Sequence, residues 1–370
     1  MSLIKILTSI TFVLSIKCFA IDLYQPGLST RSQGMGGAGL SLVRGTDAIF
    51  YNPAALARVD GFIFNLASLS PSVSTNATSL YKKFTGSGTI TAADINSLYG
   101  NQYFTEISAY GGVAIPYFGA GAYSYNTALQ SFNNPSFPTF NIDYTSDYAY
   151  VVATAIPITN NFSLGISGRH IKRWQGQKDI LITDLMGSNT QNVIKAKIPD
   201  RGKGNALDVA ALYSFKGNWN IDVATVWKDL GDTKFTPTAS AGPVRQENNL
   251  MFGVSAQKEF GLVTWTNAFD YKFIRNGGNI TKKLFLGTEV SLPIIDLRAG
   301  YSQGYLSYGA GVDLWLFQLD VAAYTAELGA VSGQTPNDRY QATLSLTLDF
   351  DQSFKLNKAN GKKRRLQQRR

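Results

Sequence analysis

From residue 61 to residue 350, apolar side chains recur at every second position in runs of about ten residues, not at the three-to-four spacing of a helix. The last run is the clearest. Tyr340, Ala342, Leu344, Leu346, Leu348 and Phe350 fall on one face, and Gln341, Thr343, Ser345, Thr347 and Asp349 on the other. Successive side chains of a strand point to opposite sides, so this spacing predicts a strand with one apolar and one polar face. Fourteen such segments run from 61–72 to 340–350, among them 118–126, 147–157, 162–173 and 205–215. Their connections alternate in length. Short ones lie near Pro116, Thr159, Lys216, Glu259, Pro293 and Trp315, and longer ones cover 73–103, 127–146, 174–204, 229–249, 274–282 and 327–339. The tight Gln303-Gly304 is an exception on the long side. Within the first long connection, Ile90 to Tyr99 predicts a short helix.

Beyond residue 20 no uninterrupted apolar stretch approaches the roughly 18 residues of a helical membrane span. Strands with one apolar face, even in number and joined by alternating short and long connections, predict a different membrane structure. The fold class is all-β: a transmembrane outer-membrane β-barrel of about 14 antiparallel strands. The Trp positions agree with it. Trp174 and Trp227 fall at one end of the strands and Trp219, Trp265 and Trp315 at or near the other, as two aromatic girdles would place them. A soluble β-sandwich would bury its Trp in a core instead.

Charge sharpens the picture. Charged residues make up 16% of the chain, against a usual share of about 25%. The formal net charge of +9 belongs to the two ends: residues 21–350 carry 24 Lys+Arg and 24 Asp+Glu, whereas eight basic residues lie between Lys355 and Arg370. A neutral body excludes a nucleic-acid-binding surface. Within the barrel, Arg169, Arg173, Asp208, Asp222, Asp270, Glu289 and Arg298 fall on the polar faces, as do Lys228, Lys272, Asp296, Asp313 and Asp320. A lipid-facing cation near the bilayer midplane costs about 2–4 kcal/mol, so these groups are assigned to the lumen. Both signs occur, which predicts a paired, plugged interior and not a single-sign ion filter.

Met1 to Ala20 reads as a secretory signal: Lys5 supplies the positive start, Ile6 to Ile16 the apolar stretch, and Ala20 the small residue at cleavage. Cleavage there removes Cys18, the chain's single Cys, and with it any disulfide, zinc cluster or Cys nucleophile. His170 is the single His, and no nucleophile elbow or paired partner stands at recognisable spacing. No enzyme activity, metal or cofactor is therefore predicted.

Residues 21–60 do not alternate. Gly34-Met35-Gly36-Gly37-Ala38-Gly39 satisfies G-x-G-x-x-G, with Asp60 about 20 residues further on. No buried strand precedes it and no βαβ pattern follows, so a dinucleotide site is rejected. The glycines instead allow close packing or sharp turns in a confined space, and Asn52-Pro53 marks a turn or helix start.

The stretch Gln33 to Gly39, then Asp47-Ala48 and Tyr51-Asn52-Pro53-Ala54, resembles the opening of the FadL-like outer-membrane transporters, which are long-chain fatty acid and aromatic hydrocarbon channels. It equally resembles their PorV-type relatives, as does Leu297-Arg298-Ala299-Gly300-Tyr301. The resemblance implies an N-terminal hatch over residues 21–60, folded inside the lumen of a barrel over 61–350. Gly34, Gly36, Gly37, Gly39, Asp47, Asn52, Pro53 and Ala54 would be its hatch residues. It implies a Gram-negative outer membrane and passive uptake of a hydrophobic small molecule or lipid, such as a fatty acid. The ligand would bind near the external loops, pass a shifting hatch and leave sideways. A sideways exit needs a local loss of strand pairing, for which Gly111, Gly112, Gly119 and Gly121 are the candidates. The same glycines would equally shape barrel curvature. The PorV-type likeness and the basic tail over 351–370 imply an alternative. In it, a structural or secretion-accessory barrel binds a protein partner, and the tail grips anionic lipid, cell wall or a periplasmic protein.

The mature protein is expected to begin at Ile21. N-terminal sequencing of protein purified from the cell envelope checks this, and a chain still starting at Met1 would refute export through that segment.

Overall fold

The structure, a computed structural model, describes residues 29–77, 96–133, 139–181, 200–239 and 241–352. The signal segment, most of the basic tail and most of the expected Ile90–Tyr99 helix lie outside these residues. The strands are β1 (Phe62–Ser74), β2 (Gln102–Ile115), β3 (Phe118–Asn133), β4 (Thr139–Pro157), β5 (Phe162–Leu181), β6 (Arg201–Phe215), β7 (Asn220–Lys228) and β8 (Phe235–Pro237). They continue with β9 (Asn249–Phe260), β10 (Val263–Tyr271), β11 (Leu284–Ser291), β12 (Ile295–Ser302), β13 (Tyr305–Leu314), β14 (Phe317–Glu327) and β15 (Pro336–Phe350). β8 is a short addition to the Gly202–Gly204 edge of β6. The other fourteen form a closed antiparallel ring: β5 pairs with β6, β7 with β9, and β15 returns to β1 with Phe62 opposite Phe350. Every predicted segment is one of these fourteen strands.

The two faces divide as the alternation predicts. On β15, Arg339, Gln341, Thr343 and Ser345 are buried, while Leu344 between them is 52% exposed. Around the ring, Tyr150, Val152, Leu164, Ile166, Leu319 and Val321 are likewise exposed. A continuous apolar belt on the outside with charge on the inside is stable against hydrocarbon and a liability in water. The ring is therefore a membrane-spanning barrel. No described helix is long and apolar enough to cross a membrane.

The predicted boundaries fail at one end of the ring. The expected long connection 127–146 is mostly strand, for β3 and β4 stay paired out to Asn133 opposite Thr139. β5 runs to Leu181, well past Trp174, and β6 begins at Arg201. Trp174 thus marks no strand end. Its ring packs 4.7 Å from that of Tyr144 on the neighbouring strand. Beyond the apolar belt both faces of a strand meet polar surroundings, and the period-two signal fades although the hydrogen-bonded ladder continues. At the opposite end, Trp219 and Trp265 pack edge to face with centroids 5.7 Å apart, beside the short turns.

Residues 29–60 carry two helical turns, Thr30–Gly34 and Asp47–Tyr51, and a 3-10 turn, Pro53–Arg58. Their apolar side chains Leu40, Ile49, Phe50 and Leu56 pack with Ala114, Val151, Leu212, Val226 and Met251, on the inner faces of β2, β4, β6, β7 and β9.

Leu344→Arg is expected to lower barrel stability by about 2–4 kcal/mol, because it sets a cation on the lipid face. Urea titration of the protein refolded into vesicles checks this, with the neighbouring Ala342→Ser as the near-neutral control.

Candidate functional site

The inward charges sort into clusters. Arg298 on β12 donates to Glu289 (2.7 Å), Asp320 (2.5 Å) and Asp296 (3.3 Å), so three carboxylates from β11, β12 and β14 surround one guanidinium. Across the ring, Arg169 donates to Asp208 and Asp229 at 2.9 Å each. Above it Arg173 holds Asp147 in a bidentate pair at 2.7 and 2.6 Å. Such pairs satisfy charges that burial would otherwise leave at a cost of several kcal/mol. Of the twelve charges assigned to the lumen from sequence, ten are buried and Lys228 and Asp313 are half-buried.

Three wall acids reach further, to residues 29–60. Glu289 accepts two bonds of 2.9 Å from Arg31. Asp222 accepts from Arg44 at 3.1 Å and from Arg58 at 2.9 and 2.5 Å. Asp270 takes two backbone N–H groups, of Gly39 at 2.9 Å and Leu40 at 3.0 Å, while Lys272 beside it donates to the Gly37 carbonyl. Sequence reasoning placed the acids inside but missed Arg31, Arg44 and Arg58. Three arginines in a segment followed by a wall with lumenal acids is the signal that was available.

The remaining predicted residues of the segment also have definite places. Gly36, at φ +67°, lies so close to β11 and β12 that a Cβ there would come within 2.5 Å of the Leu286 carbonyl oxygen and 2.7 Å of the Tyr301 nitrogen. The wall answers with its own glycine: a Cβ on Gly300 would lie 2.1 Å from the Gly36 nitrogen. Gly34 faces Gly309, and Gly37 lies against the Phe285 ring. Asn52, fully buried, caps the 3-10 turn by accepting from the Ala54 N–H at 3.2 Å and donates to the Leu40 carbonyl at 3.1 Å. Pro53 opens that turn, as its fixed φ favours. The Ala54 carbonyl accepts from Ser163 at 2.9 Å. Asp47 opens the helical turn Asp47–Tyr51, half-buried. Removal from bulk water pushes its carboxyl up to about 6, against the opposing pull of Arg31.

On the β3 side Gly111, Gly112, Gly119 and Gly121 lie in an unbroken ladder; on the β1 side Gly111 falls at a register irregularity, between the pairs Gly112 opposite Asn65 and Tyr110 opposite Ser68. β2 and β3 pair without interruption from Gln102 to Ile115, through Gly112 opposite Gly121. The room left by Gly119 and Gly121 is taken from inside: a Cβ on Gly119 would lie 2.6 Å from Ile49, and one on Gly121 2.7 Å from the Phe50 ring, whereas one on Gly111 would meet the Asn65 and Leu66 carbonyls of β1 at 3.1 and 3.2 Å. The nearby irregularity is in β1, whose register shifts between Asn65 and Ser68 against β2. His170 is exposed on β5 and shares a 2.8 Å hydrogen bond with Asn205.

The barrel encloses a cavity of about 1180 Å³ between residues 29–60 and the wall. Phe104, Leu129, Phe273 and Phe285 line its outer part, with Lys272 and Lys282 among them.

The architecture is that of known hydrocarbon channels. The chain is similar to the toluene transporter TodX of Pseudomonas putida (11% identity, 89% of this chain and 98% of that one, TM-score 0.50). It is similar to the toluene transporter TbuX of Ralstonia pickettii (14% identity, 88% and 98%, TM-score 0.51). A TodX deltaS2S3 mutant, a monoaromatic hydrocarbon channel, aligns at 12% identity over 88% and 99% with a TM-score of 0.53. At these identities the likeness is one of fold. No protein-family profile and no curated relative matches the chain.

Gly165→Ala and Gly300→Ala are each expected to loosen residues 29–60 by about 1–3 kcal/mol through overpacking, since the new Cβ would stand 2.1 Å from the Ala54 or Gly36 nitrogen. Gly168→Ala, with nothing within 4 Å, is the control. Limited proteolysis in micelles, followed by mass mapping of cuts between residues 29 and 60, checks this.

Proposed function

We propose that this protein is an outer-membrane channel of a Gram-negative cell, through which hydrophobic small molecules pass passively, with residues 29–60 acting as its hatch. The observation that carries this is the 1180 Å³ cavity, open among the external loops and flanked inside the barrel by that segment. Its outer part combines aromatic and aliphatic surface with a few cations, the composition of a site for a mostly apolar ligand with a polar end. Fatty acids and small aromatic hydrocarbons both suit that description. The fold shared with toluene transporters supports the reading, as do the residues that resemble the FadL-like opening. Fixed arginine–acid pairs hold the segment in place, so passage past it is driven by the solute gradient alone.

In a strain lacking its own hydrophobic-compound transporter, expression is expected to raise uptake of labelled oleate or toluene above the vector control. No gain for either, with the barrel verified in the outer membrane, would count against the proposal.

A further inference from the structure

The same cavity does not end at the segment. Arg339, Gln341, Thr343, Ser345 and Thr347, the successive inward positions of β15, all line it. Eight residues of strand at about 3.3 Å each and a tilt near 40° correspond to roughly 20 Å of height, most of a membrane barrel's apolar band. Thr30 touches this face, its hydroxyl 2.5 Å from that of Thr343, yet the cavity continues below the contact to Ser345 and Thr347. It reaches Trp315, Leu316 and Phe317 at the short-turn end, where the Leu316 carbonyl accepts from the Thr347 N–H at 2.9 Å. Its other sides are Ser29, Arg31, Thr46 and Asp47 of the segment and, on the adjoining strands β1 and β2, Asn65 and Tyr110.

These side chains are hydroxyls, amides and charges of both signs. A lining of that kind replaces the hydration of a polar solute and gains little from a hydrocarbon. Many of the charges are bound to one another: Arg298 holds Glu289, Asp296 and Asp320, and Arg31 holds Glu289, while Asp47 and Asp313 also line the space and leave acids in excess. Anions are therefore disfavoured along it.

We propose that the inner face of β15 forms an axial, water-filled passage to the periplasmic end, which lets small neutral hydroxylated solutes cross while residues 29–60 stay in place. This rests on the barrel spanning a membrane, but it is separate from hydrocarbon uptake and stands or falls without it. The path follows the barrel axis through a continuous wall.

Swelling of proteoliposomes in isotonic L-arabinose tests it, in a Cys18→Ser background. Protein carrying Thr347→Cys is labelled in detergent with a bulky thiol reagent and reconstituted, beside labelled Leu344→Cys on the lipid face. The unlabelled barrel is expected to swell vesicles faster than protein-free lipid. Label at position 347 is expected to slow swelling at least about fivefold, since permeation follows pore diameter, and label at 344 to leave it unchanged. A second variant, Thr30→Cys with Thr343→Cys, ties the segment to β15 on oxidation, and its swelling rate is expected to stay the same with and without dithiothreitol. An unlabelled barrel no faster than bare lipid would overturn the proposal. So would equal effects at 344 and 347, or swelling that stops on oxidation and returns on reduction. Failed oleate and toluene uptake with intact arabinose permeation would sink the hydrocarbon reading alone.

Discussion

A sheet immersed in hydrocarbon has no water to satisfy an open edge, so the first and last strands must find each other. Phe62 opposite Phe350 is where they do, and the rest of the molecule follows from that closure. Fourteen strands with side chains alternating in and out yield a belt for lipid and an interior screened from it. Any charge on the chain between residues 61 and 350 is then pressed inward or to the rims. An interior of this size, holding carboxylates and guanidinia far from bulk water, has to be neutralised locally. The cluster of Glu289, Asp296 and Asp320 around Arg298 is the result.

That cluster also explains how the leading segment is held. Buried ion pairs contribute little net stability, because desolvation offsets most of the attraction, but breaking one leaves a stranded charge. They therefore fix position more than they add strength. Glu289 would be only partly satisfied by Arg298 and accepts Arg31 as well; Asp222 binds both Arg44 and Arg58. Asp270 takes backbone N–H groups where the glycine-rich turn presents them. The apolar contacts of Ile49, Phe50 and Leu56 supply the adhesion, and the ionic contacts set the register.

The strands were legible because lipid enforces period two through the belt, broken in β1 at Leu66-Ala67, so a sequence such as that of β15 has a single interpretation. Where lipid ends the rule ends, and the outer halves of β3, β4 and β5 escaped notice: Gln175 to Asp179 alternates nothing, yet pairs fully with Asn141 to Thr145. The site was legible only as residue types. That Gly34 to Gly39 needs close approach follows from glycine chemistry; that the partners are Gly300 and Gly309 does not, since those contacts join residues far apart in the chain. Gly119 and Gly121 show the limit most clearly. A glycine on a strand signals missing volume, and whether that volume is a gap or a seat depends on Ile49 and Phe50, which arrive from elsewhere.

The position of the cavity has its own cause. On one side the segment presses Ile49, Phe50 and Leu56 into the apolar inner faces of β2, β4, β6, β7 and β9, and beside Phe50 and Tyr51 a cavity of only about 20 Å³ remains. On another, backbone meets backbone through Gly36 and Gly300, the closest approach two chains can make. The remaining arc, where β15 meets β1, offers short hydroxyl side chains that are already satisfied by one another: Ser68 with Ser345 at 2.7 Å and Ser70 with Thr343 at 2.5 Å. Of these, Thr343 also meets the segment, its hydroxyl 2.5 Å from that of Thr30, a single short contact. Two attachments on one part of the circumference and a self-satisfied polar seam on the other leave the segment off centre, and the unfilled volume collects along β15.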